Sequence, residues 1–411
     1  MKFDYGVIGG GPAGYTVAMK LAQKGHSVVL FEKKELGGTC LNRGCIPTKT
    51  LLHCSENYKT ILNAETLGLS IDVKDFDFSK IAKKRDSVIE KIRKSLELAV
   101  KNSGVQLVYA EASLVDKNTI FANEEKYEVS EVIIATGSAP REIKGLEFDK
   151  EFILNSDDIL KLDKLPKSVL IIGSGAIGIE WTRIFANFGV EVTLVELAEH
   201  LIPLADIEVS KRIERIFKQQ KIKFYLNDCI EKIENKVVHL RSGAIIKPDF
   251  ILSAVGRTPQ APENFGNNFI IGDACGEIQL AHYAISQGIK LAEKNDIKLN
   301  KNLIPSVIYG EPEIAWVGLR EQDCEEDCKK TVLPITALGK SWCDDATDGF
   351  IKIISKDNKI MGCHIVSKEA SALIHQVLIA MQNDISVQKL KEICFAHPTF
   401  SEGIFETLCR I

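Results

Sequence analysis

No run of apolar residues in this chain reaches the ~18 that a membrane-crossing helix requires, so no membrane span is expected. Charge of one sign is missing too. The 411 residues carry 52 Lys and Arg against 56 Asp and Glu, a formal net charge of −4. That balance excludes the basic signature of a nucleic-acid binder. The chain starts Met1-Lys2-Phe3-Asp4-Tyr5-Gly6-Val7-Ile8, already a strand pattern, so no signal peptide is expected and the expected location is cytoplasmic. Cysteine is plentiful, at eleven residues, but metal-ligand spacing is not. Cys54, Cys229, Cys275, Cys343, Cys363, Cys394 and Cys409 stand alone. Cys324 and Cys328 form one C-x-x-x-C among acidic residues, without the second pair or nearby His that zinc would need. No metal site is expected.

A hydrophobic content of 45% suits a globular protein, and the length exceeds what one core serves, so about two to four domains are expected. Two segments repeat one order of elements. A strand at 3–8 leads into Gly9-Gly10-Gly11-Pro12-Ala13-Gly14, then a helical pattern, then Ser27-Val28-Val29-Leu30-Phe31-Glu32. The second copy runs from Ser168-Val169-Leu170-Ile171-Ile172 through Gly173-Ser174-Gly175-Ala176-Ile177-Gly178 to Glu191-Val192-Thr193-Leu194-Val195-Glu196. In both copies the acid lies 18 residues beyond the last glycine. One such turn is weak evidence, because a tight strand–helix turn needs glycine without any ligand. Two copies in full context point to two dinucleotide sites. The glycines let backbone N–H groups approach a pyrophosphate at a helix N-terminus, and the acid accepts from a ribose diol.

The first turn is followed closely by Gly37-Gly38-Thr39-Cys40-Leu41-Asn42-Arg43-Gly44-Cys45-Ile46-Pro47-Thr48-Lys49. Residues five apart on a regular helix are separated by roughly 7.5 Å along its axis. A disulfide needs Cα atoms about 4.4–6.8 Å apart. A Cys40–Cys45 bond therefore requires a distorted first turn, which Gly44 permits. A helix N-terminus favours the thiolate, so Cys45 is the expected stable thiolate and Cys40 the sulfur that exchanges with substrate. A purely structural pairing is the alternative, disfavoured where thiols are kept reduced.

Elsewhere, 85–103 read as a long charged helix and 105–134 as short strands ending in Val132-Ile133-Ile134-Ala135-Thr136-Gly137. The 203–254 stretch reads as a helix followed by strands. Phe269-Ile270-Ile271-Gly272-Asp273 is a strand capped by an acid, with a helix expected at about 281–294. From 305 the texture changes to strands, a helix near 369–382 and a final turn carrying His397-Pro398-Thr399-Phe400-Ser401-Glu402.

Taken together and in this order, the cysteine pair, both glycine turns, Ala135-Thr136-Gly137, Gly272-Asp273 and the His397–Glu402 segment resemble the flavin-dependent pyridine nucleotide-disulfide oxidoreductases, nearly end to end. Ile304-Pro305-Ser306-Val307-Ile308-Tyr309 and Pro312-Glu313-Ile314-Ala315-Trp316-Val317-Gly318-Leu319 bring it nearest the branch that oxidises dihydrolipoyl groups. The resemblance implies an α/β fold with two Rossmann-like dinucleotide-binding domains and a C-terminal α/β dimerisation domain. The implied division is 1–140 with 255–300 for FAD, 141–254 for NAD and 301–411 for a homodimer interface. It implies that Gly9, Gly11, Pro12, Ala13, Gly14, Glu32, Lys33, Gly38, Thr39, Lys49, Ala112, Ala135, Thr136, Gly137, Arg257, Gly272, Asp273 and Gln279, Leu280, Ala281 and His282 hold FAD. Gly173, Gly175, Ala176, Ile177, Gly178, Glu180, Glu196, Ile230 and Gly256 would serve NAD. Cys40, Cys45, Lys49, Glu180, His397 and Glu402 would be catalytic, with His397 as base and Glu402 as its orienter, reaching the partner subunit's site. Two segments read as shorter than the family's, 257–271 and the stretch between Gly318 and Ile335.

Glu402, five residues after His397, would fix one tautomer of the ring and leave the other nitrogen basic. Glu180 is either Lys49's partner in a flavin pocket or an exposed helix glutamate. Glu196 suits a free 2′-hydroxyl and repels a 2′-phosphate, and Leu197, Ala198, Glu199 and His200 supply no Arg pair, so NAD is expected over NADP. The expected substrate is a lipoyl-bearing protein or small dithiol. Reduction of another disulfide such as glutathione is the alternative enzyme reading, and Glu196 argues against its usual NADPH. Mercuric ion reduction wants a C-terminal cysteine pair where only Cys409 stands. A catalytically dead flavoprotein scaffold would need a broken catalytic set.

Overall fold

The computed structural model describes residues 2–73, 76–262, 269–294 and 296–411. Residues 263–268, within the shortened 257–271 segment, lie outside the described residues.

The first glycine turn opens a parallel sheet. Its strands lie in the order Gln106–Tyr109, Val28–Glu32, Lys2–Ile8, Glu125–Ile134, then Thr119–Ala122 and Ser113–Asp116 antiparallel at the far edge; Phe269–Ile270 joins Glu125–Ile134 in parallel. Val28–Glu32 is buried at every position. Parallel strands are covered on both faces, which is why they read as unbroken apolar runs rather than alternating ones. Helices Pro12–Gln23 and Ala281–Lys294 pack together over this sheet, with Val17, Leu21, Leu30, Ile133 and Leu291 in one core.

The second glycine turn builds a five-stranded parallel sheet, Lys223–Tyr225, Glu191–Val195, Ser168–Ile172, Phe250–Ser253 and Ile153–Leu154. The chain enters this unit through Ser138–Pro140 and leaves it through Arg257–Pro259. These two segments pair antiparallel, with Pro140 opposite Arg257. A third, wholly antiparallel sheet runs Ser306–Ile308, Glu313–Gly318, Lys359–Ser367, Phe350–Lys356, Lys329–Pro334. Helices Ala370–Gln382 and Glu402–Cys409 cover it.

Several elements differ from the sequence pattern at their ends. The long charged helix spans Phe78–Asn102, because Asp77 caps it by accepting from Ser79 N at 2.9 Å, and Phe78 is buried against Phe188. The charge of the segment masks this apolar first turn.

One core joins all three units. Leu51 and Leu52 of the helix Cys45–Leu62, Phe185 of the second unit, and Ile308 and Phe350 of the third belong to the same buried cluster. A buried charge sits on the same seam. Lys352, fully buried in the strand Phe350–Lys356, donates to Asp206 Oδ1 at 2.8 Å and also reaches Glu321 and Glu208. Burial alone would lower its pKa, but the carboxylates raise it overall, and Lys352 stays charged. Among the described residues Asp206, Glu208 and Glu321 are the only acidic cluster with metal-ligand geometry, and the ammonium of Lys352 lies among them. Removing one member of a buried pair strands the other charge. Asp206→Ala should therefore destabilise the protein by about 3–5 kcal/mol, read as a fall in the midpoint of thermal unfolding; an unchanged midpoint would show that the cluster does not hold the seam.

Candidate active site

Both glycine turns place their acids in the same way. Glu32 Oε2 accepts from Gly10 N at 2.8 Å and Oε1 from Lys34 N at 2.8 Å. Glu196 Oε2 accepts from Ser174 N at 2.8 Å and Oε1 from Ala198 N at 2.9 Å. A carboxylate has about four lone-pair sites, so each keeps acceptor capacity for a ribose diol. The last glycine of each turn serves packing. A Cβ on Gly14 would lie 1.8 Å from Gly9 O, and one on Gly178 would lie 1.9 Å from Gly173 O. Only hydrogen lets each helix start so close to its strand.

The first turn opens into a cavity of about 1540 Å³. It brings together Gly9, Gly11, Pro12, Ala13, Glu32, Lys33, Gly38, Thr39, Cys40, Cys45, Lys49, Ala112, Ala135, Thr136, Gly137, Arg257, Gly272, Asp273 and Gln279 to His282. Ala176, Ile177 and Glu180 of the second unit form part of its wall. Gly14, Gly173, Gly175, Gly178, Glu196, Ile230 and Gly256 do not line it. Gly14 is packed beneath the first turn, Gly256 stands where the chain returns from the second unit, and the rest belong to the second unit, where Ile230 opens the small antiparallel sheet 230–246. His397 and Glu402 lie on the third unit, away from the chain's own cavity.

The cysteines stand on two helices, Gly38–Arg43 and Cys45–Leu62, broken at Gly44 (φ −141°, ψ −105°). Cys45 is therefore the first residue of its helix. Its pKa falls to about 7, chiefly through the thiol of Cys40 and then through Lys49, against the opposing effect of burial. Cys40 is pushed up by its partner and by burial. The two thiols are thus unequal, Cys45 being the more acidic.

One helical turn beyond Cys45, Lys49 Nζ donates to Glu180 Oε1 at 2.9 Å and Oε2 at 2.8 Å. Glu180 is 3% exposed, so it is no surface glutamate. Burial opposes the charge on Lys49, but Glu180 outweighs it and raises the lysine's pKa. Tyr309 completes the group, its N–H on Glu180 Oε1 at 3.2 Å and its ring 4.7 Å from Lys49 Nζ. At the other end of the cavity Ser138 Oγ donates to Asp273 Oδ2 at 2.6 Å and accepts from Arg257 Nε at 2.8 Å. Arg257 also lies 3.9 Å from Asp157, which in turn lies 3.4 Å from Arg43. Sequence reasoning passed over Tyr309 as a site residue although it closes the Ile304–Tyr309 motif. Ser138 and Asp157 carry no signal in the sequence, since their partners are distant in the chain, whereas Arg43 lies within the quoted cysteine motif.

On the third unit, His397 Nδ1 and Glu402 Oε1 are 2.8 Å apart, and Glu402 Oε2 accepts from Thr399 N at 2.8 Å. Burial works against the Glu402 carboxylate, but these two hydrogen bonds hold its pKa below the usual value. The His397 side chain is 75% exposed, with Nε2 left free of the Glu402 contact.

Comparison with known sequences accords with this arrangement. The profile described as pyridine nucleotide-disulphide oxidoreductase matches residues 3–266, and that of the same family's dimerisation domain matches 304–408. The chain belongs to this family. It is 33% identical over 440 positions to the dihydrolipoyl dehydrogenase of Chlamydia pneumoniae, covering 98% of this chain and 95% of the relative. It is 31% identical to one from Bacillus subtilis, covering 98% and 97%. In fold it matches LpdA of Mycobacterium tuberculosis, with a TM-score of 0.91, 22% identity and 99% of each chain covered. It also matches the HOCl-induced flavoprotein disulfide reductase RclA of Escherichia coli, at 0.87 and 24% identity over the full length of both. Alignments of 440 positions and more exceed the 411 residues here, so these relatives carry segments this member of the family lacks. No helix among the described residues is long and apolar enough to cross a membrane.

Proposed function

We propose that this family member oxidises dihydrolipoyl groups, carried on a protein or as a small dithiol, and passes the electrons to NAD. One observation carries the reading. Two unequal thiols, broken across Gly44 from one helix to the next, sit in the wall of a glycine-built cavity beside a buried Lys–Glu pair.

The cavity fits FAD. Gly11 and Ala13 leave room at a helix N-terminus for a pyrophosphate, with Gly9 packed against the Ala135 backbone beside them, Glu32 keeps acceptor capacity for the adenosine ribose, and Lys49, Thr136, Asp273 and the Gln279–His282 segment line the remainder. We assign 1–140 with 255–300 to FAD, 141–254 to NAD, and 301–411 to the dimer interface. Bound FAD supplies the carrier that accepts electrons from a thiolate and gives them to a nicotinamide.

The protein's own steps begin from the Cys40–Cys45 disulfide. His397 of the partner subunit takes a proton from one substrate thiol, and Glu402 steadies the resulting imidazolium. The substrate thiolate attacks Cys40 Sγ; the Cys40–Cys45 bond breaks and Cys45 leaves as thiolate. The second substrate thiol then passes its proton to Cys40 as its sulfur attacks the first, closing the product disulfide and expelling Cys40 as a thiol, while His397 keeps the first proton and later releases it to solvent. The Cys45 thiolate keeps the electron pair, steadied by Lys49 and by the helix N-terminus. The Lys49–Glu180 pair anchors the lysine where this charge develops.

A cytoplasmic setting fits this chemistry. A reducing compartment would keep the cysteines outside the Cys40–Cys45 pair as thiols.

Production of NADH from dihydrolipoamide by the FAD-loaded dimer tests the reading. Absence of that activity, with reduction of glutathione disulfide instead, would overturn it. Glu32→Ala should sharply weaken FAD retention, measured as flavin lost on gel filtration, because it removes the acid beside the first glycine turn. Cofactor choice gives a further test. NAD should exceed NADP in kcat/KM by at least tenfold, about 1.4 kcal/mol, because Glu196 repels a 2′-phosphate. Equal values for the two cofactors would refute that role for Glu196.

A further inference from the structure

A second pair of thiols stands far from the cavity. Cys324 and Cys328 flank the tight turn 325–328, in which Cys328 N donates to Glu325 O at 3.3 Å. Both thiols are half-buried. Burial raises the pKa of Cys324, and the thiol of Cys328 beside it raises it further. Cys324 Sγ also donates to Arg320 O at 3.1 Å. The other cysteines outside the active site have no such companion in the sequence.

The segment that carries Cys324 clamps the third unit to the second. Glu321 N donates to Asp206 Oδ2 at 2.7 Å. Gln322 Nε2 donates to Ala205 O at 3.0 Å, and Gln322 Oε1 accepts from Ile207 N at 3.2 Å. Arg320 reaches Pro203 O at 3.5 Å. Asp206 is itself the N-cap of the helix Ile207–Gln219, which packs in the core of the NAD-side sheet.

We propose that Cys324 and Cys328 form a second dithiol–disulfide couple, separate from Cys40–Cys45, whose oxidation loosens the clamp at Asp206 and weakens NAD binding. The oxidant class is a low-molecular-weight disulfide such as oxidised glutathione. Cys324 is held as a thiol by burial and by its bond to Arg320 O, so Cys328 attacks first. Cys328 thiolate displaces one small thiolate and forms a mixed disulfide. Cys324 then loses its proton and attacks Cys328 Sγ, forming the internal bond and releasing the second small thiolate. Two protein thiols lose two electrons and two protons; one small disulfide becomes two thiols. A disulfide sulfur has no hydrogen to donate. Arg320 O keeps its bond from Asp323 N at 3.0 Å but loses the thiol donor, directly beside the backbone that holds Asp206.

Trypsin cuts after Arg320 and Lys329, so residues 321–329 leave as one peptide with both cysteines and no others. The FAD-loaded full-length protein is equilibrated in glutathione buffers of rising oxidised fraction, alkylated, digested and weighed. The expected product is an unalkylated 321–329 peptide two hydrogens lighter. The KM for NAD, measured on the same samples after desalting, should rise about fivefold in wild type, the lower range of coupling between sites. Cys324→Ser and Cys328→Ser, in the same buffers, should hold the reduced-state KM, and they control for changes at Cys40–Cys45. Full alkylation of Cys324 and Cys328 across the range that oxidises Cys40–Cys45 would overturn the proposal. So would internal bond formation with the KM of wild type tracking that of the two variants.

Discussion

His397→Ala should lower kcat by about 10²- to 10⁴-fold, the usual worth of a positioned acid–base group, with FAD content unchanged. The exposed ring is held by Glu402 and does not line its own chain's cavity; on the proposed reading its target lies on the partner. Co-expression separates this from a role within one subunit. A dimer of one Cys40→Ser chain and one His397→Ala chain has one site with both lesions and one site with neither. Each parent dimer has two damaged sites. The mixed dimer should recover activity far above either parent, approaching half of wild type. A purified heterodimer as inactive as its parents would place His397 and Cys40 in the same subunit's site. Glu402→Gln should cause a smaller loss and shift the pH profile, since it removes the charge opposite the imidazolium while keeping the hydrogen bond.

The second large effect concerns the thiols. Cys40→Ser and Cys45→Ser should each abolish turnover with a dithiol, yet look different in the spectrometer. A Cys45 thiolate facing bound oxidised flavin gives a long-wavelength charge-transfer band. Cys40→Ser should show this band without reductant, and Cys45→Ser should never show it. The thiolate exists above its pKa, so the band should be full at alkaline pH and vanish as the pH falls through about 7, the value to which Cys45 is lowered. The largest cause of that lowering is the Cys40 thiol, and a serine hydroxyl can still donate. Cys40→Ala cannot, and its midpoint should lie higher than that of Cys40→Ser. If the two cysteine variants exchange spectra, the roles assigned to the sulfurs are reversed.

What could be read from the chain follows the range over which each interaction acts. The strand–glycine turn–helix–strand–acid order is local, and its geometry is dictated by sterics within about 20 residues, so both copies appear in the sequence as they do in space. The direction of the thiol asymmetry was also legible, but the sequence argument rested on the helix start, whereas the larger causes are the Cys40 thiol and then Lys49. Other features depend on distant partners. Glu180 is 131 positions from Lys49, and its burial follows from the packing of the helices Cys45–Leu62 and Ala176–Asn187, which no single segment encodes. Lys352 is fully buried because its carboxylate partners arrive from 206 and 321, far away in the chain. The bridge from Arg43 through Asp157 to Arg257 left no local trace for the same reason. His397 was legible as one of a pair, but its absence from the lining of its own chain's cavity is a property of the third unit's placement.

The antiparallel ribbon between the first two units bears on how such a chain could arise and be rebuilt. Pro140 and Arg257 are opposite one another, and Arg141 N donates to Gly256 O at 3.0 Å. Everything between them leaves and re-enters at one point, as a module spliced into a host gene would. A two- or three-residue turn could rejoin 140 to 257, and the excised 141–256 would carry neighbouring ends suited to grafting elsewhere. Separation would not be free of consequence. Leu51 and Leu52, shared with Phe185 in one core, would face water, so a host made independent would need polar residues there. The insertion is detachable in its backbone but grown together in its side chains.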